Sequence, residues 1–317
     1  MIEIILYLLL GCVLLYAGGE GLVRGAGSIA LRSGLSPFVI GMTVVAFATS
    51  TPELAVSLQA AMEGVDDLAI GNVVGSNIAN IGLILGLCAI VRPAQIEMRL
   101  LRVDLPWLIF VSLLLLAFLA DGHISRPAGV VFLVGLVIFL WWNIQFARRE
   151  QEEERVRAEF EAVAPKAHTS PAVDWLLIGG GLVLLVLGGW SFVRGGISLA
   201  TLLGVSPAII ALTVVAIGTS LPELATSLVA SMRGDADISV GNVVGSNFFN
   251  ILAVLGVTAV LIPLDRGGIT MVDLTVMLIF AMILVPLIMV RRRIGRPEGL
   301  TLVASYLAYM YWLAGQA

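Results

Sequence analysis

Apolar residues in this 317-residue chain neither alternate nor form narrow stripes. They run on for about twenty residues at a time, the length a helix needs to cross a hydrocarbon core of about 30 Å. Such runs predict spanning helices near 2–24, 37–61, 68–91, 103–120 and 127–147, then 173–194, 206–231, 238–262, 270–290 and 298–315. The expected fold is an all-α polytopic membrane protein of ten transmembrane helices, five on each side of a linker. The linker is read as cytoplasmic and charged, occupying 148–172 between a first unit at 1–147 and a second at 173–317. Its opening, RREQEEERVRAEFEAV, can also continue the fifth helix into water. The first run has no basic leader, so it reads as a span and not as a cleaved signal.

The second five runs repeat the first. Without gaps, and at a constant offset of 170, Gly19 matches Gly189, Val23-Arg24-Gly25 matches Val193-Arg194-Gly195, and Ser36-Pro37 matches Ser206-Pro207. Further on, Thr43 matches Thr213, Pro52-Glu53-Leu54 matches Pro222-Glu223-Leu224, Asp67 matches Asp237, and GNVVGSN at 71–77 returns at 241–247. Five is an odd number, so the second copy enters the membrane from the opposite side. Two such halves form an inverted-topology repeat, an architecture of secondary transporters. Basic residues set the orientation. With an external N-terminus, 15 of the 18 Lys and Arg face the cytoplasm and only Arg126, Arg194 and Arg266 lie outside, which puts both termini outside.

Composition agrees: 59% apolar and 13% charged residues exclude an ordinary soluble protein, and nothing supports nucleic-acid binding. Cys12 and Cys88 lie in apolar runs away from any His and read as buried small hydrophobes. Trp107, Trp141, Trp142, Trp175 and Trp312 sit near span ends, as an interfacial belt requires.

Within this apolar background two acids are out of place. Glu53 in TVVAFATSTPEL and Glu223 in TVVAIGTSLPEL lie deep in spans, where a charge costs about 2.5–3.5 kcal/mol or more. Pro52 and Pro222 should break their helices and free carbonyls near Ala46 to Thr49 and Ala216 to Thr219. Freed carbonyls survive in hydrocarbon only where neighbours, water or an ion satisfy them. Beside them stand the hydroxyls of Thr49, Ser50, Thr219 and Ser220. The next spans add Ser76 with Asn80 and Ser246 with Asn250, each pair four residues apart on one helical face. Carbonyl, hydroxyl, amide and carboxylate oxygens without nitrogen or sulfur suit Ca²⁺ or Na⁺ and suit zinc or copper poorly. Two glutamates balance one Ca²⁺, while sodium ions can fill several subsites among the same oxygens. Mutual exclusion of that kind is the physical basis of exchange. Lesser features have simpler readings: Glu20 and Arg24 as an interfacial ion pair, and Asp66, Asp67, Asp235 and Asp237 as acids at helix N-termini.

TSTPEL with GNVVGSNIAN, and GTSLPEL with GNVVGSNFFN, resemble the two alpha-repeats of the sodium/calcium exchanger family within the cation/calcium antiporter superfamily, here as a prokaryotic member. The resemblance covers essentially all ten spans. It implies ion ligands at Ala46, Thr49, Ser50, Glu53, Ser76, Asn80, Ala216, Thr219, Ser220, Glu223, Ser246 and Asn250, the alanines through backbone carbonyls. It further implies that spans one and six form a tilted sliding pair. Two departures stand out. Ala48 replaces the usual Gly before the first Thr-Ser pair, and Asn250 stands where potassium-dependent relatives carry Asp. The expected activity is Na⁺/Ca²⁺ antiport across the plasma membrane by alternating access, independent of K⁺, with Ca²⁺ and Na⁺ as substrates and no cofactor or protein partner. H⁺/Ca²⁺ exchange is the alternative. A cation channel fits the inverted repeat less well, and an intramembrane hydrolase lacks an HExxH pair.

Overall fold

The computed structural model describes residues 1–158, 170–203 and 218–315. It is helical throughout apart from four two-residue strands. In chain order the helices are α1 (Ile2–Ser33), α2 (Pro37–Thr49), α3 (Thr51–Met62), α4 (Asp66–Val91), α5 (Leu100–Ala120), α6 (Arg126–Ala158), α7 (Pro171–Leu202), α8 (Leu221–Arg233), α9 (Ala236–Leu261), α10 (Met271–Arg291) and α11 (Arg296–Ala314). Among the described residues seven helices are long and apolar enough to cross a membrane, and α2 with α3 makes an eighth as one bent span. Most of the predicted seventh span before Gly218, with Ser206, Pro207, Thr213 and Ala216, lies outside the described residues. So does the linker from 159 to 169, although α6 does run on through Ala158.

Local chemistry sets the helix ends. Ser36 caps α2 by accepting from the Val39 backbone N–H, and Pro37 follows in the first turn, where its missing donor does no harm. Gly34 ends α1 and Gly234 ends α8 with φ of 66° and 96°, a left-handed cap that a side chain would oppose. The helices α1 and α7 each hold 32 residues, about 48 Å at 1.5 Å per residue, and must lie tilted in a 30 Å core. They cross antiparallel through glycines spaced by seven. A Cβ on Gly18 would meet the Gly181 carbonyl at 2.7 Å, and one on Gly188 would meet the Leu15 backbone nitrogen at 2.7 Å. Only glycine permits that approach.

The short strands pair across the halves: β1 (Ala94–Gln95) with β4 (Arg293–Ile294), and β2 (His123–Ile124) with β3 (Leu264–Asp265). Their registers obey the offset seen in the sequence. Adding 170 to Ala94 and subtracting it from Ile294 turns Ala94↔Ile294 into Leu264↔Ile124, the pairing observed in the other bridge. Loops predicted to share a side of the membrane are therefore the loops that touch.

Some expectations change on inspection. Cys88 is buried, but Cys12 is exposed, because a helix that is apolar all round does not reveal from its sequence which face turns inward. Asp66 and Asp67 do more than face a helix dipole: they accept from the backbone N–H groups of Asp265 and Gly268, tying α4 to the loop around β3. Arg99, expected in a solvated loop, is only 6% exposed. It pairs with Asp104 at 3.6 Å, donates to Asn143 and lies 4.5 Å over the Phe146 ring.

Candidate ion site between the broken helices

The span made of α2 and α3 bends by 40° at Ser50, two residues before Pro52. In the mirror segment Ser220 lies outside helical geometry, and α8 starts with Leu221 and Pro222. At each break the chain turns a Thr-Ser pair and a glutamate toward the middle of the protein. Pro52 has no N–H, so the carbonyl it leaves without a helical donor is that of Ala48. The Ala46 carbonyl keeps the Ser50 N–H at 2.9 Å and lies 3.4 Å from the Thr49 hydroxyl.

Glu53 and Glu223 are both fully buried. Among the described residues neither has a Lys or Arg counter-ion. Each is instead held by the opposite half. Ser50 Oγ donates to Glu223 Oε1 at 3.3 Å, and Ser220 Oγ donates to Glu53 Oε1 at 3.4 Å. These contacts are the same contact seen twice under the offset of 170. Ser220 has one proton and two acceptors within reach, Glu53 Oε1 and, at 3.0 Å, Ser76 Oγ, and Ser246 lies 3.4 Å from the Thr49 hydroxyl. Eight of the twelve expected residues (Thr49, Ser50, Glu53, Ser76, Thr219, Ser220, Glu223 and Ser246) thus gather in one network or one bond away from it. Ala46 is buried beside them, against the Gly245 backbone of α9. Ala216 lies outside the described residues.

Asn80 and Asn250 are completely buried in π-helical turns, Asn80 opening Asn80–Leu85 and Asn250 second in Phe249–Leu255. Such wide turns occur often at functional sites because they re-aim a side chain. They also break the symmetry. Asn250 Nδ2 donates to Asn77 Oδ1 at 3.0 Å, whereas neither amide atom of Asn80 has a partner among the described residues. Glu53 Oε2, Glu223 Oε2, Asn250 Oδ1 and Asn80 Oδ1 are all buried oxygens with no hydrogen-bond donor among the described residues. A native interior rarely leaves such acceptors unpaired, and a buried carboxylate demands neutralisation. A hard cation among these oxygens meets both requirements, and so do protons on the glutamates.

Residues outside the expected set complete the network. Asn72 and Asn242 each lie one helical turn before the serine, so Asn72, Ser76 and Asn80 share one face of α4, and Asn242, Ser246 and Asn250 share one face of α9. The i, i+4, i+8 spacing, duplicated in both GNVVGSN copies, was the available signal. Asn72 Oδ1 accepts from Thr219 and Asn242 Oδ1 accepts from Thr49, both at 3.1 Å.

A cavity of about 580 Å³ reaches this site from one side. Pro52 and Val56 of the first half line it, facing Gly189 and Trp190 of α7, with Thr219 and Pro222 at its inner end. On the opposite side α1 lies directly against α8: a Cβ on Gly19 would sit 3.2 Å from the Ala225 carbonyl. Glu20 there binds Arg24 at 2.6 Å and also pairs with Arg233 at the end of α8.

Comparison with known proteins accords with this arrangement. The inner membrane protein YrbG of Escherichia coli is 37% identical over 314 residues, covering 97% of this chain and 96% of its own. The sodium/calcium exchanger MaX1 of Methanosarcina acetivorans is 33% identical over 338 residues, covering 96% and 97%. The solved structure of the sodium-calcium exchanger NCX_Mj, soaked with zero Na⁺ and Ca²⁺, superimposes with a TM-score of 0.83 at 34% identity, over 98% of this chain and 99% of that one. The family model for "Sodium/calcium exchanger protein" matches twice, at residues 3–145 and 173–315, two segments that are again 170 apart. The chain is a membrane antiporter belonging to the sodium/calcium exchanger family.

Proposed function

We propose that this protein exchanges Na⁺ for Ca²⁺ across the plasma (inner) membrane by alternating access, without co-transporting K⁺. The observation that carries the reading is the reciprocal pair Ser50–Glu223 and Ser220–Glu53. It places two uncompensated carboxylates between halves related by a single offset, each with one oxygen unengaged. In this reading the ten spans form two inverted five-helix repeats with both termini outside. The ions are held by Ala46 and Ala216 through their carbonyls and by Thr49, Ser50, Glu53, Ser76, Asn80, Thr219, Ser220, Glu223, Ser246 and Asn250 through their side chains. The cavity along α7 is then the external entrance and the α1/α8 contact the closed internal one. With Asn at both 80 and 250, the site has two ionisable groups and no third to balance an additional K⁺.

The test is ⁴⁵Ca²⁺ uptake into Na⁺-loaded proteoliposomes, with K⁺ and pH varied separately. Uptake should require internal Na⁺ and ignore K⁺. Uptake driven by a pH gradient in Na⁺-free buffer would replace Na⁺ with H⁺ as the counter-ion, and uptake that needs no counter-ion would indicate a channel.

A further inference from the structure

Asn72 and Asn242 fix the protons of two ion-binding threonines. A threonine hydroxyl can ligate a cation only through a lone pair, so its single proton must point elsewhere. Asn72 Nδ2 donates to the Glu53 backbone carbonyl at 3.2 Å and to Ser57 Oγ at 3.0 Å. A carbonyl only accepts, so this contact fixes which end of the amide is nitrogen. The other end, Oδ1, must be an acceptor, and the Thr219 hydroxyl, 3.1 Å away, must be its donor. On the mirror side Asn242 Nδ2 donates to Ser227 Oγ at 2.9 Å, and Asn242 Oδ1 accepts from Thr49 at 3.1 Å. Thr49 also contacts Ala46 O and Ser246 Oγ, both at 3.4 Å, and the Glu223 carboxylate, and we assign its one proton to the 3.1 Å contact with Asn242.

We infer that Asn72 and Asn242 are positioning residues. Each draws the hydroxyl proton of the other half's threonine away from the site, leaving oxygen lone pairs for the cation. The inference rests on the cation-site reading above and adds a crossed wiring: Asn72 of the first half serves Thr219 of the second, and Asn242 of the second serves Thr49 of the first. Ser57, which accepts from Asn72 and donates to the Ala69 carbonyl at 3.1 Å, keeps Asn72 in place.

The experiment is a set of double-mutant cycles read as the KM for Ca²⁺ in reconstituted uptake, with maximal rate and thermal melting recorded in parallel. Asn72→Ala and Thr219→Val should each raise KM about tenfold, the scale of one lost or misdirected hydrogen bond in a buried site, and leave melting within a few degrees. The Asn72→Ala/Thr219→Val pair should be no worse than its worse member, and Asn242→Ala/Thr49→Val likewise. The same-half pairs, Asn72→Ala/Thr49→Val and Asn242→Ala/Thr219→Val, should multiply to about a hundredfold. Multiplicative behaviour in the crossed pairs, or coupling in the same-half pairs, overturns the assignment. Threonine variants that leave KM unchanged would overturn the cation-site reading instead, so the two failures are distinct. A purely structural asparagine would lower melting and maximal rate and leave KM alone. Should Asn72→Ala not fold, the mirror cycle at Asn242 decides by itself.

Discussion

The two sides of the ion site are built from the same words yet packed differently. On the α1 side, Gly19 presses against the α8 backbone, Thr49 is sealed from solvent, and Glu20 joins Arg24 and Arg233. On the α7 side, the matching Gly189 has, among the described residues, only the Gly218 carbonyl within reach, at 3.7 Å from an added Cβ, and Thr219 borders the cavity. The position that matches Glu20 is Trp190, which is exposed, meets the Tyr7 ring edge to face and carries the Arg194 guanidinium 5.2 Å from its ring centre. The lesson is that the crossed contacts at the glutamates survive this difference unchanged. What distinguishes open from sealed is where the α1/α7 pair rests on the core, not how the two glutamates are held.

The largest test of that separation is the glutamate pair. Glu53→Gln and Glu223→Gln should each lower Ca²⁺ uptake more than about a hundredfold, from the 3–5 kcal/mol at stake when a buried charge partner is lost. They should do so equally, because both breaks border the cavity, one through Pro52 and the other through Gly218, Thr219 and Pro222. Because an amide is cheaper to bury than a carboxylate, melting in ion-free buffer should stay level or rise. A much milder loss in one variant would show that the two halves of the site are not equivalent.

Next come the glycines, measured by thermal melting. Gly18→Ala and Gly188→Ala both push a Cβ to 2.7 Å from backbone of the partner helix, which cannot yield, and each should cost about 1–3 kcal/mol. Gly19→Ala meets Ala225 at 3.2 Å and should cost less, and Gly189→Ala, with an ordinary contact at 3.7 Å from the Gly218 carbonyl, should cost nothing measurable. If Gly189→Ala were as damaging as Gly19→Ala, the two sides would be packed alike and the asymmetry would vanish.

Much of this was legible in the sequence because membrane burial makes polar residues expensive. Glu53 and Glu223 stand out for that reason, and the constant offset of 170 tied them together before any geometry. The residues that escaped were those whose role depends on a distant partner. Asn72 and Asn242 sat in plain view inside GNVVGSN, but nothing local says that each serves a threonine 147 or 193 positions away. The π-helical turns that begin at Asn80 and near Asn250 arise from packing, with Gly82 tight against Phe280 and Tyr306, and leave no periodic trace. The β1–β4 and β2–β3 bridges are too short for a strand pattern. The open and sealed sides could not be read at all, since a repeated sequence encodes both packings in each half.

The smallest predicted effect concerns the sealed side alone. Glu20 is one-fifth exposed and Arg233 about one-third, so their pair contributes only about 0–1 kcal/mol. No equivalent exists opposite, where Trp190 matches Glu20, and Glu63, which matches Arg233, bonds Gln59 on its own helix. Glu20→Gln should therefore favour opening on the α1 side by up to about fivefold. Thr226, buried on α8, is the counterpart of Val56, which lines the cavity. With both native cysteines replaced, Val56→Cys should react with an impermeant maleimide from the cavity side and Thr226→Cys should be protected. Adding Glu20→Gln should raise the labelling rate of Thr226→Cys from the opposite side and lower that of Val56→Cys, because one helix pair cannot rest against both sides at once. A rise at Thr226 with no fall at Val56 would mean local fraying of the contact, and the two sides would then open independently.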